Sequence, residues 1–244
     1  METFGFIMII LVASILQTST GFGFSILATP FLLLIFEPAE AIQINLLLSL
    51  VISSALILKI RKDIDFGMLK RFIAGSALGL PIGMGIFMLI DINSLKLAVS
   101  LIILVLTVML VLTFRISQNK NRDLLVGGFS GLLTTSIGMP GPPLLLYFSG
   151  THTQKEKLRG TTLVFYLFVY LVSLIIQVIF AGTNKTIWVS SLWALPMVLA
   201  GMHLGQRLFK RINQKAFRIF TYIILLITGI YLLIESMGTY LMLP

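Results

Sequence analysis

Apolar segments recur along the chain at 3–18, 21–36, 41–60, 67–90, 95–114, 124–138, 140–150, 158–181, 187–206 and 217–236, separated by short polar intervals. A helix needs about 20 apolar residues to cross a hydrocarbon layer of roughly 30 Å, and most of these runs come close to that length. The second and seventh are too short to cross comfortably, and each follows a backbone break. One break is Thr20-Gly21-Phe22-Gly23, with Pro30 further on; the other is Gly138-Met139-Pro140-Gly141-Pro142-Pro143. The pattern predicts an all-α integral membrane protein with two broken-helix hairpins, 3–36 and 124–150, each followed by three transmembrane helices. The hairpin arms either re-enter or cross fully. Pro30 to Phe36 aligns with Pro142 to Phe148, so the two units read as copies of one broken helix.

Charge orients these spans. Lys59, Arg61, Lys62, Lys70 and Arg71 sit in one loop; Arg115, Lys120 and Arg122 in another; Arg207, Lys210, Arg211, Lys215 and Arg218 in a third. An excess of Lys and Arg marks cytoplasmic loops, which places 61–71, 115–123, 151–157 and 207–217 inside and both termini in the periplasm. The halves also repeat with opposite charge bias. Glu40-Ala41-Ile42-Gln43 aligns with Glu156-Lys157-Leu158-Arg159, and Gly79 and Gly83 align with Gly201 and Gly205, yet a basic loop in one half meets a nearly neutral one in the other. Such a pattern predicts two inverted-topology repeats, 1–114 and 124–244, joined by a cytoplasmic linker at 115–123.

Composition narrows the function. With 57% hydrophobic and 11% charged residues and a mean hydropathy of +1.03, the chain has little scope to be soluble. Its net charge of +9 belongs to the loops that set orientation, so no nucleic-acid partner is implied. The partners expected are the lipid bilayer and a small anion; a homodimer stays open. The absence of cysteine removes disulfides, thiolate metal sites and thiol relays, and no cofactor is expected. The first residues lack the basic region and small-residue cleavage site of a signal peptide, so the first apolar segment is expected to be retained.

Paired helix breaks at matching places in two halves point to a transporter's binding site, because backbone groups freed at membrane depth need a cavity or ligand. The leading candidate is Arg159. On a helix it shares a face with Thr162, Tyr166, Tyr170, Ser173 and Gln177, at spacings of 3, 4, 4, 3 and 4. A guanidinium stays charged and offers a planar fork of donors to sulfonate, sulfite, phosphate or carboxylate oxygens. The alternative is an arginine snorkelling to the interface. Around the hairpin tips Gln17, Thr20, Gly21 and Gly23, with Ser136, Gly138 and Gly141, offer hydroxyls and amides near half-helix N-termini, a setting that suits an anion. Asn45, Ser49 and Ser53 form a matching stripe on the first-half helix, where Gln43 aligns with Arg159. The glycines of the Gly75-Gly79-Gly83 and Gly201-Gly205 series read as helix-packing positions.

All nine acidic residues fall in loops or at span ends, which disfavours proton or sodium coupling through a buried carboxylate. Gly128-Phe129-Ser130-Gly131, with His203 as base, offers an intramembrane serine protease reading, but no orienting acid accompanies it, and the chain is expected not to be an enzyme. A non-transporting membrane scaffold is a further alternative. Gly21-Phe22-Gly23-Phe24 with Pro30, then Gly131 through Gly141-Pro142-Pro143-Leu144-Leu145-Leu146-Tyr147, then Leu158-Arg159-Gly160-Thr161-Thr162-Leu163, resemble the TauE/SafE sulfite-exporter family of bacterial membrane transporters. That resemblance implies transport of sulfite, sulfoacetate or other organosulfonates. The glycine triplets common in that family are replaced here by Gly21-Phe22-Gly23 and Gly138-Met139-Pro140-Gly141.

Overall fold

The computed structural model describes residues 2–91, 117–151 and 153–211 without a break, and scattered positions within 93–108 and 213–237. The expected third spans of each half, 95–114 and 217–236, lie outside the described residues apart from those scattered positions. Elsewhere the chain is helical, with no strand among the described residues. The helices are α1 (Glu2–Thr20), α2 (Gly23–Leu32), α3 (Pro38–Ile60), α4 (Phe66–Leu89), α5 (Lys120–Ile137), α6 (Gly141–Gly150), α7 (Lys155–Ala181) and α8 (Lys185–Arg211). Among the described residues, four stretches are long and apolar enough to cross a membrane: Pro38–Ile57, Phe66–Leu89, Lys155–Ala181 and Lys185–Arg211.

Local chemistry sets the boundaries. Glu37 caps α3 in a reciprocal capping box with Glu40, followed by Pro38 at a position whose missing N–H is harmless. The Asp65 carboxylate accepts from the Met68 N–H at 2.9 Å to open α4, and Asn119 accepts from the Asn121 N–H at 2.7 Å to open α5. Both hairpins turn on a glycine of positive φ. Gly21 (φ 91°) follows α1, and its N–H reaches the Gln17 carbonyl at 2.8 Å. Gly138 (φ 73°) follows α5; its N–H reaches Thr134 O at 2.8 Å while the Met139 N–H reaches Leu133 O at 3.0 Å, the paired bonds of a Schellman ending. The returning helices α2 and α6 have 10 residues each, about 15 Å, which is half a hydrocarbon layer.

The two long helices α3 and α7 run antiparallel. At one end the Gln43 amide donates to the Gly182 carbonyl at 2.7 Å; at the other the Asp65 N–H donates to the Thr161 hydroxyl at 3.0 Å, and Lys157 pairs with Asp65 at 2.7 Å. Burial pushes the Asp65 carboxyl upward, but Lys157 and the Met68 N–H outweigh it and hold the group below its ordinary value. Further contacts join the halves: α4 packs on α5, α8 on α1, α3 on α8 and α4 on α7. Glycine makes the closest of these possible. A Cβ at Gly75, Gly79 or Gly83 would run into the backbone carbonyls of Leu124, Gly128 and Leu132 on α5, and one at Gly201 or Gly205 would meet Ser14, Ile15 and Thr18 on α1. These glycines serve packing. Leu78, Leu89 and Trp193 stay largely exposed, as outward side chains do in lipid.

Helix ends correct the register read from sequence. Pro30 lies in the last turn of α2 and Pro142 in the first turn of α6, so the alignment of Pro30–Phe36 with Pro142–Phe148 joins points that do not correspond. The turn glycines Gly21 and Gly138, and the N-caps Glu37 and Gln154, are separated by one and the same interval. In that register Asn45, Ser49 and Ser53 match Thr162, Tyr166 and Tyr170, and the counterpart of Arg159 is Ile42 rather than Gln43. The expected linker 115–123 overlaps the next helix at its far end. Helix α5 starts at Lys120, and Asp123 lies in its first turn, fully buried.

Candidate functional site

At the first hairpin tip three carbonyls near the end of α1 find donors. Leu16 O accepts from the Thr20 hydroxyl at 2.7 Å, Gln17 O accepts from the Gly21 N–H, and Thr18 O accepts from Arg159 Nε at 2.7 Å. Arg159 is 8% exposed, and its guanidinium lies over the Phe209 ring, 4.3 Å from the centroid. The fit is close on the backbone side. A Cβ at Gly21 would stand 2.9 Å from Arg159 Cα, and one at Gly23 would stand 2.5 Å from Leu16 Cβ, so both positions exclude larger residues. The hydroxyls of Thr18 and Thr162 are buried without a hydrogen-bond partner. The guanidinium Nε is therefore spent on α1, and its two terminal nitrogens are left for a ligand, as are the two unpartnered hydroxyls.

The second tip sits at the opposite end of the α3–α7 pair. Asn45 Nδ2 donates to the Gly138 carbonyl at 2.8 Å, and Gln177 Nε2 donates to the Thr135 carbonyl at 2.7 Å. Ser136 gives its hydroxyl to Leu132 O at 2.8 Å, a bond within its own helix. Gly141 opens α6 against Ile26 and the Tyr166 hydroxyl, which is buried and unpartnered. Three of the four residues from Pro140 to Pro143 are prolines, so this half-helix presents few amide donors. The first-turn amides of α2, at Gly23, Phe24 and Ser25, are all N–H donors.

The structure thus brings Arg159, Thr162, Thr20, Gly21 and Gly23 to one end, and Asn45, Ser136 and Gly138 to the other, with Gln17, Tyr166 and Gly141 between them. In this conformation Arg159 and the second tip lie at opposite ends of α7. Gln43, aligned with Arg159 in the sequence, is at the far end of α7 on Gly182. Between the tips the facing stripes of α3 and α7 form a continuous buried polar track, and Ser49, Ser53, Tyr170, Ser173 and Gln177 are all 0–1% exposed.

Sequence reasoning missed two features. Phe209, in a basic stretch after the last glycine pair, carries no local signal of its contact with Arg159. Asp123, counted among harmless span-end acids, is 0% exposed and joined to Arg71 Nε and to the Tyr147 hydroxyl, which locks α4, α5 and α6 together. Ser130 and His203 do not meet: Ser130 Oγ is buried without a partner on α5, and His203 is exposed on α8. Among the described residues no cluster of three or more metal-ligating side chains occurs.

No match is found among curated proteins or among solved structures. The model of one family, described as the sulfite exporter TauE/SafE, matches residues 6–232. With that match spanning nearly all of an all-helical, membrane-type chain whose two broken hairpins frame a buried polar track, the protein belongs to the TauE/SafE sulfite-exporter family of membrane transporters.

Proposed function

We propose that the protein moves small sulfur-containing anions, sulfite or organosulfonates such as sulfoacetate, across the bacterial inner membrane by alternating access, in the direction of export. The observation that carries this reading is Arg159, a permanent cation buried beside a helix break, with two guanidinium nitrogens and the hydroxyls of Thr18 and Thr162 unspent. A buried charge in a membrane protein is costly unless paired; the Asp63 carboxylate acts on Arg159 electrostatically without bonding it, and an oxyanion supplies a direct partner. Helices that exchange halves in their packing support a rocking motion of one repeat against the other. The two conformations would expose the Arg159 end and the Gly138 end in turn.

Asp123 is the buried carboxylate of the described helices, and it is already taken up by Arg71 and Tyr147. It is therefore poorly placed to carry protons, and transport is uncoupled and electrogenic. A membrane potential negative inside favours export of a monovalent anion by about 2.3 kcal/mol per 100 mV, roughly a fiftyfold gradient. In proteoliposomes, sulfite or sulfoacetate flux should follow an imposed potassium–valinomycin potential and ignore a pH or sodium gradient at zero voltage. Uphill accumulation driven by pH or sodium at clamped voltage overturns the uncoupled mechanism.

The orientation has its own test. Because the chain lacks cysteine, single cysteines at Lys62, Asn119 and Arg211 report directly on sidedness. An impermeant thiol reagent should leave all three unmodified on intact spheroplasts and modify a cysteine placed at Thr183. Labelling of position 211 from outside defeats the inverted arrangement.

A further inference from the structure

Halfway along the polar track, five side chains from four helices meet with no formal charge among them. Gln17 Nε2 on α1 reaches both the Ser49 carbonyl and the Ser53 hydroxyl on α3, each at 3.3 Å. The Tyr170 hydroxyl on α7 donates to Ser25 Oγ on α2 at 3.3 Å, with the Ser49 side chain beside the same phenol. All five are 0–1% exposed, and Ser49 Oγ and Gln17 Oε1 have no hydrogen-bond partner. Ser49 and Tyr170 stand near the midpoints of α3 and α7, whereas Arg159 lies about 16 Å nearer the end of α7 at a rise of about 1.5 Å per residue.

The bonds here are slack. Those at the track's ends, Arg159 to Thr18, Gln177 to Thr135, Gln43 to Gly182 and Asn45 to Gly138, are 2.7–2.8 Å, while the three central ones, two N–H···O and one O–H···O, are all 3.3 Å, beyond the usual range for either kind. Groups held this loosely exchange partners at little cost. After the bonds named, the hydroxyl protons of Ser25, Ser49 and Ser53 are available to turn toward a common guest. Ser25 also stands in the first turn of α2, where amide donors and the helix dipole favour negative charge.

We propose that Gln17, Ser25, Ser49, Ser53 and Tyr170 form a neutral central station that binds an oxyanion of the sulfite or sulfonate type by hydroxyl and amide donors alone, distinct from the charged station at Arg159. This rests on the reading of the protein as an anion transporter. A station without a fixed cation suits transit, since a guest must bind well enough to enter and weakly enough to leave. Arg159 captures by charge; the hydroxyl cluster passes the anion on.

Binding of sulfite and of methanesulfonate to the purified full chain, by calorimetry, tests this with Ser25→Ala, Ser49→Ala and the packing-preserving Tyr170→Phe, against Ser14→Ala as a buried control whose hydroxyl bonds within α1. Each serine variant should weaken binding by on the order of tenfold, the usual loss of a hydrogen bond to a charged group, with Ser14→Ala unchanged. Folding is checked by the melting temperature of each variant. If the Ser25→Ala/Ser49→Ala double variant and Tyr170→Phe bind and transport like wild type while Arg159→Ala does not, the central station is refuted and the transport reading stands. If the wild-type protein binds neither probe, the anion-transport reading falls and the central station with it.

Discussion

Replacing Arg159 by Ala should abolish anion binding, weakening it by on the order of 1.5–3 kcal/mol or more, since a charge-assisted partner is lost from a buried site. Arg159→Lys keeps the charge but should recover only part of the affinity, because an ammonium cannot hold Thr18 O and a ligand with the geometry of a planar fork. The structure adds a second effect. Arg159 is the donor to the Thr18 carbonyl at the end of α1, so the Ala variant also leaves a buried carbonyl unpartnered, for about 1–3 kcal/mol of stability. Binding and melting must therefore be measured together. Phe209→Leu separates the two contributions: it removes the stacking on the guanidinium while leaving the ligand-facing nitrogens, and should lower affinity only modestly. Wild-type affinity and flux in Arg159→Ala would remove Arg159 from the site.

Asp123→Ala should be among the most destabilising single changes in the chain. Its carboxylate is fully buried and takes both Arg71 Nε and the Tyr147 hydroxyl, so truncation strands a cation and a phenol at once. Breaking a buried ion pair in this way costs about 3–5 kcal/mol; the lower end is expected because the Arg71 side chain is 29% exposed and can regain water. Tyr147→Phe should cost less, as the Asp123–Arg71 pair survives it. Anion affinity of whatever protein remains folded should match wild type, since Asp123 anchors α6 to α4 and α5 and lies outside the polar track. An unchanged melting temperature in Asp123→Ala would show that the network contributes nothing to holding the second hairpin.

How much of this could be read before folding depended on whether the signal was local. Hydropathy placed the described helices within a few residues of their ends, because membrane helices are selected by the length of a continuous apolar run. The breaks at Gly21 and Gly138 were visible because only glycine takes those positive φ values readily, and the packing role of Gly79 and Gly201 because a close helix crossing leaves no space for a Cβ. The stripe from Arg159 to Gln177 followed from helical spacing alone, and every member is buried. Alignment of the halves fared worse: prolines tolerated in both the first and last turns of a half-helix made a false match, and the caps corrected it.

Partners were decided by tertiary structure. An all-helical membrane chain, two broken hairpins and an arginine with a polar face behind it were legible residue by residue, since each is a property of consecutive residues. The sequence could not tell that Arg159 would bond Thr18 and lie on Phe209, that Gln43 would go to the other end of α7, or that Asp123 would be sealed between Arg71 and Tyr147. Those contacts join residues far apart in the chain, and they depend on the tilt and register of whole helices. Only the packed arrangement fixes these, because a polar side chain inside a membrane protein takes whichever partner the neighbouring helices bring within reach.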